Sequence, residues 1–190
     1  MLGAFIWWEL RTDAPMLDIR LFRGRTFTLG ISAAFLTFLG SSAVLFMMPF
    51  YLQNVLGYSA KTIGFVVVPG AICMAIMGTV SGVLSDRFGW RPFTVGGLAS
   101  SATGLLILSR VTEDSSLWMV VPALMLMNTG MGTFYSPNSS SVMNAVGVAK
   151  YGVVSGFLNL VRNAANVTSI AFATIIVTAT MASMGFEPSL

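Results

Sequence analysis

No histidine occurs in the 190 residues, and there is a single cysteine, Cys73. Their scarcity excludes a metal site of the Cys/His kind and any disulfide within the chain. Charge is scarce too. Only 9% of residues are charged, against about 25% in a soluble domain, while 55% are hydrophobic and the mean hydropathy is +0.82. That balance excludes a water-soluble globule and predicts an all-α, polytopic membrane helix bundle whose solvent is lipid. The net charge of +3 does not point to nucleic acid, because the basic residues sit between apolar runs, where the positive-inside rule places them. No glycine-rich phosphate loop is present, which excludes an ATP-driven pump by this chain alone. No nucleophile, base and metal set is visible, so neither an enzyme nor a bound cofactor is expected.

What is present is a series of long apolar runs with almost no charge. A bilayer-crossing helix needs about 20 residues, and five runs meet that length: about 27–53, 62–84, 92–110, 117–143 and 151–181. Pro49 is expected to kink the end of the first, and Pro137 to interrupt the fourth. Met1 to Trp8 is apolar but short and lacks a basic n-region, so it reads as the end of a preceding transmembrane helix rather than a signal peptide. Residues 9–25 form a charged linker. In it Leu17, Leu21 and Phe22 set against Asp18, Arg20 and Arg25 suggest either a short amphipathic helix at the membrane surface or an unstructured connection. Residues 26–190 hold the five spans. The pairs Gly78/Gly82 and Gly152/Gly156 have G-x-x-x-G spacing, which suits close helix packing. Two glycosylation-like triplets, at Asn138 and Asn166, lie in or beside spans and are dismissed. Ala60-Lys61 before Gly64 and Ala149-Lys150 before Gly152 echo each other at the starts of the second and fifth helices, as an inverted three-helix repeat would.

The stretch Gly82-Val83-Leu84-Ser85-Asp86-Arg87-Phe88-Gly89-Trp90-Arg91 puts three charges into six residues between the second and third runs. Such a turn must lie at a membrane face, and Gly89 can take the positive φ that a tight reversal needs. Because five spans alternate sides, the loop charges can be counted. One side carries seven basic residues, Arg11, Arg20, Arg23, Arg25, Arg87, Arg91 and Lys150, and the other two, Lys61 and Arg110. Residues 9–25, 85–91 and 144–150 are therefore expected to be cytoplasmic.

The spacing G-x-x-x-D-R-x-G-x-R in this stretch resembles the cytoplasmic signature loop of the major facilitator superfamily, with Trp90 where the family usually has a basic residue. Four further stretches resemble the family's fourteen-helix drug:proton antiporter branch: Pro15 to Arg23, Pro49 to Ser59, Gly64 to Pro69, and Ser155 to Asn163. The resemblance implies that these are five of the six helices of a C-terminal transporter half. It also implies a cell-membrane location, an N-terminal half and a last helix as missing partners, and amphipathic small molecules exported in exchange for protons. It further implies a gating role for Gly82, Asp86, Arg87, Gly89 and Arg91, through ion pairs that break on switching. No run contains Asp or Glu, so the protonated carboxylate of such an antiporter would lie outside this chain.

Arg162 is the one ionisable residue well inside a span, 12 residues past Lys150, or about 18 Å along a helix. A charge there costs about 3 kcal/mol or more unless paired or hydrated. Ser155, Asn159, Arg162, Asn163, Asn166 and Ser169 recur at helical spacing as one polar stripe. The stripe is either a cavity wall or half–half contact, or a hydrogen-bond network that only joins helices. Asn128, Gly132, Tyr135, Ser136 and Ser139 on the fourth helix are further cavity candidates, as are Ser32, Phe35, Ser42, Phe46 and Gln53 on the first. In the resembled family the first and fourth helices of a half line the cavity, and ordinary packing is the alternative for each residue. Two rival readings stay open: a transporter of another solute, such as a siderophore or metabolite, and a non-transporting membrane scaffold or assembly protein.

Overall fold

In hydrocarbon every backbone N–H and C=O must find its partner within the segment, so an uncharged run of this length folds as a helix. The computed structural model describes residues 19–112 and 115–183. Five long helices account for most of them: α1 (Arg25–Phe50), α2 (Ala60–Phe88), α3 (Trp90–Leu108), α4 (Leu117–Asn144) and α5 (Tyr151–Ser183). Single turns of 3-10 helix at Ile19–Arg23 and Val148–Lys150 precede α1 and α5. The apolar start at 1–8, linker residues 9–18 and the tail at 184–190 lie outside the described residues.

Four segments are long and apolar enough to cross a membrane: Arg25–Val55, Ala60–Phe88, Leu117–Asn144 and Val148–Ser183. The other helix, α3, has 19 residues, or about 28 Å at 1.5 Å per residue, and lies along α4. Local signals mark the ends. The Ser59 hydroxyl accepts from the Thr62 N–H and the Ser116 hydroxyl from the Trp118 N–H, capping α2 and α4.

One proline expectation changes. Pro137 does not interrupt α4, which runs unbroken from Leu117 to Asn144 through both Pro122 and Pro137. Pro137 is buried, with the other four helices packed on α4, and such packing holds a helix across a missing N–H. After Pro49, α1 widens into a π-helical turn at Tyr51–Val55, where Leu56 N–H reaches back five residues to Tyr51 O at 3.2 Å. The charged stretch also proves mostly helical. Asp86 and Arg87 occupy the last turn of α2, and only Gly89, at φ 84° and ψ 155°, separates α2 from α3.

The core is organised around α4. At one end its Val120, Ala123, Leu124 and Met127 pack with Met48, Leu52, Ile63, Val66 and Leu108. Met131 meets Phe38 and Ala165 near the middle. Val142 and Val146 meet Phe27, Ile31, Val154, Leu158 and Val161 at the other end. Phe22 and Phe27 close that end against Phe157, edge-on at 5.7 Å and stacked at 6.5 Å.

Packing is closest where side chains are absent. A Cβ on Gly104 of α3 would stand 2.6 Å from Met127 N, and one on Gly97 2.7 Å from Phe134 N. A Cβ on Gly132 of α4 would overlap Met74 O of α2 and stand 3.1 Å from Gly78 N. Of the two G-x-x-x-G pairs, Gly78/Gly82 faces α4, whereas Gly152/Gly156 meets nothing within 4 Å. That second pair is exposed on α5 and packs no helix among the described residues. Exchanging α1 with α4 and α2 with α5 converts the α1–α5 packing into the α4–α2 packing, and both contacts are extensive. The echo between the starts of α2 and α5 is in keeping with that exchange.

Candidate functional site

Both α2 and α5 pack on other helices, α2 on α4 and α5 on α1, with little contact to each other. The gap between them is a cavity of about 660 Å³, open on one side and floored by α4. Glycine and alanine thin its walls at Ala71, Ala75, Gly78 and Gly132. Its polar groups are Thr79, Tyr135, Ser136, Ser139, Ser155 and Asn159. The Thr79 hydroxyl is bonded to Ala75 O and Ser139 Oγ is buried, so the wall is mainly apolar, with the hydroxyls of Tyr135, Ser136 and Ser155, the Asn159 amide and no carboxylate.

Tyr135 and Asn159 stand in this wall. The Tyr135 ring meets Phe38 of α1 edge-on, centroids 5.6 Å apart at 81°. Asn159 is exposed, and its Nδ2 donates to Ser155 O at 3.1 Å. Arg162, half-buried, follows one turn later on the face that carries Leu158 and Asn159. Among the described residues it makes no hydrogen bond or ion pair. Asn163 is exposed beside it, outside the lining.

The stripe then changes partners. The Ser42 hydroxyl of α1 donates to Asn166 Oδ1, and the Ser169 hydroxyl donates to Leu39 O at 2.6 Å. So Ser155 and Asn159 face the cavity, while Asn166 and Ser169 tie α5 to α1. Straight helical spacing cannot separate those two uses, because the division depends on where α1 crosses α5.

Asn128 and Gln53 also lie outside the lining. Asn128 is buried, 6% exposed, with its Nδ2 donating to Leu124 O at 2.8 Å in its own helix. It shares a helical face with Tyr135 two turns away, but at its level Gly70 of α2 closes onto α4 and the amide fills the space of the missing side chain. Gln53 is exposed in the π-helical turn after α1. The first helix contributes no residue to the lining, and α2 takes that place instead. Thr79 was not among the candidates; its signal was its place inside the Gly78–Gly82 pair.

At the α2–α3 reversal, Gly82 packs on α4, where a Cβ would come 2.7 Å from the Ser136 hydroxyl. Asp86, Arg87 and Arg91 are exposed, and the Arg91 guanidinium lies 5.5 Å from the centre of the Trp90 ring. Trp90, which replaces a basic residue of the resembled loop, thus gives Arg91 a cation–π seat.

Residues 7–170 match the model of the Major Facilitator Superfamily. The chain is 28% identical over 164 residues to the riboflavin transporter RibZ of Clostridioides difficile, covering 86% of this chain and 36% of that protein. It is 32% identical over 187 residues to the multidrug resistance protein Stp of Mycobacterium tuberculosis, covering 98% and 34%. With the lincomycin resistance protein LmrB of Listeria monocytogenes it shares 25% identity over 178 residues, covering 94% and 38%. The chain spans little more than a third of the length of these relatives.

Proposed function

This chain belongs to the Major Facilitator Superfamily, and on that premise we propose that it forms part of a secondary transporter that exports amphipathic small molecules by alternating access, driven by protons. The observation that carries the reading is the recess between α2, α4 and α5, an apolar wall with a few hydroxyls and one amide. Polar groups that neither pair with lipid nor close a helix contact are unfavourable in a bilayer unless they line water or a ligand. A scaffold gains nothing from such a recess. The names of Stp and LmrB support drug export. A second reading, transport of a metabolite, is supported by the likeness to RibZ.

The remaining steps belong to the same proposal. Residues 9–25, 85–91 and 144–150 face the cytoplasm of a bacterial-type cell membrane, so the cavity opens toward the cytoplasmic half. The spans of this chain hold no carboxylate away from their ends, so the proton-binding group belongs to the rest of the longer protein. That remainder supplies the opposing wall and a last helix.

One experiment tests the transport reading in the full-length protein with its native cysteines replaced. Asn159→Cys should react with a membrane-impermeant maleimide, and the modified protein should lose transport. Leu160→Cys, at a site 61% exposed on the outer face, should do neither in a lipid-embedded protein. Equal reactivity of the two positions, or full transport after modification of Asn159→Cys, would defeat the reading.

The α2–α3 reversal is the proposed gate. Among the described residues Asp86 makes no ion pair, so its partner in one transport state lies on the opposing half. Asp86→Asn should leave membrane insertion unchanged and slow transport about tenfold, the size of an ordinary coupling energy. Wild-type transport rates in that variant would rule the gate out.

A further inference from the structure

In α1 to α5 every charge but one lies within a turn of a helix end: Arg25, Lys61, Asp86, Arg87 and Arg91. The exception is Arg162, deep in α5, half-buried and without a partner among the described residues. It continues the face of α5 that lines the cavity, one turn beyond Leu158 and Asn159, before Asn166 turns to Ser42 of α1. A guanidinium held there calls for an anionic group, which its planar fork takes in a bidentate pair. None of these helices offers a carboxylate at that depth. Nor does the cavity wall, where the hydroxyls of Tyr135, Ser136 and Ser155 and the Asn159 amide are polar groups that can donate to an anion.

Building on the transport reading, we propose that Arg162 is a specificity-determining residue. It selects amphipathic solutes that carry an acidic group, a carboxylate or phosphate, and disfavours cations. The apolar part of such a solute lies on Met74 and Leu158, and its acidic end reaches the guanidinium, with Asn159 and Asn163 as neighbouring amide donors. The low dielectric of the surroundings strengthens the discrimination.

The test uses purified full-length protein in nanodiscs of zwitterionic lipid, so that no anionic headgroup competes. The probes are dansylglycine and its methyl ester, which differ by one negative charge, and binding is read from dansyl fluorescence. The acid should bind at least tenfold more tightly than the ester. Arg162→Gln should abolish that preference and leave the ester's affinity unchanged, and Arg162→Lys should keep part of it. Equal binding of the two probes by wild type, failure to bind the acid, or an unchanged preference in Arg162→Gln would overturn the assignment. So would an equal loss of both probes in a folded Arg162→Gln protein, the result expected if the guanidinium instead pairs with an acidic side chain of the opposing half. None of these outcomes bears on the maleimide test at Asn159, which decides the transport reading by itself.

Discussion

Replacing Gly130 by valine is expected to lower the stability of the full-length protein by about 3 kcal/mol, the upper end of overpacking penalties. A Cβ at this position would overlap Ser101 N and Gly97 O of α3 and stand 2.8 Å from Ser101 Cα. All three are backbone atoms, so no rotamer change relieves the clash and α3 as a whole must move off α4. That movement would also break the Gly104–Met127 and Gly97–Phe134 approaches, because one rigid helix carries both glycines. In lipid, close backbone approach is a main source of helix–helix affinity, since no hydrophobic drive holds apolar faces together. The control is Gly96→Val on α3, where a Cβ meets nothing within 4 Å and the change should stay within about 0.5 kcal/mol. Thermal unfolding in detergent, read by size-exclusion chromatography after heating, compares the two. Equal melting of the two variants would refute the account of the α3–α4 contact.

Gly89→Ala should be the second large effect. At φ 84° and ψ 155° the backbone occupies a region that is essentially glycine-only, and holding another residue there costs about 1–3 kcal/mol. No loop is available to absorb that strain, because Gly89 alone joins α2 to α3. The chain must either keep the strain or change the angle at which α3 leaves α2. The second course displaces Arg91 relative to Asp86 and disturbs the proposed gate. The variant is therefore expected to melt lower and to transport more slowly. Gly152→Ala near the start of α5 should be harmless or mildly stabilising, since nothing lies within 4 Å of its Cβ and alanine is preferred to glycine in a helix by about 1 kcal/mol. A Gly89→Ala protein as stable as wild type would contradict the backbone argument.

Some of the candidate site was legible before folding and some was not. Tyr135 and Asn159 stood out as polar or aromatic residues at helical spacing in apolar runs, and both reach the cavity. Asn128 fitted the same pattern but lies under Gly70, because the level at which α2 closes on α4 is set by a glycine on the other helix. Gln53 failed for a related reason: it lies in the π-helical turn at the end of α1, a helix that faces α5 and α4 rather than the cavity. The polar stripe of α5 looked like one feature and serves two, since α1 takes Asn166 and Ser169 while leaving Ser155 and Asn159 open. Of two identical glycine spacings, one packs a helix and the other none among the described residues.

The amino-acid sequence by itself determined that this is a membrane protein of five long helices with a charged reversal between the second and third, and it carried the family. Those properties follow from local rules: charge is excluded from hydrocarbon, and each helix satisfies its own backbone within its own segment. Only the tertiary structure decided which face of each helix meets which neighbour, and therefore where the cavity lies. In water, an apolar stripe would have announced the buried face of each helix. In lipid, both faces are apolar, and orientation is set by the fit of glycine and serine on one helix to the backbone of another. That fit is a property of pairs of residues far apart in the chain, such as Gly104 with Met127 or Ser42 with Asn166.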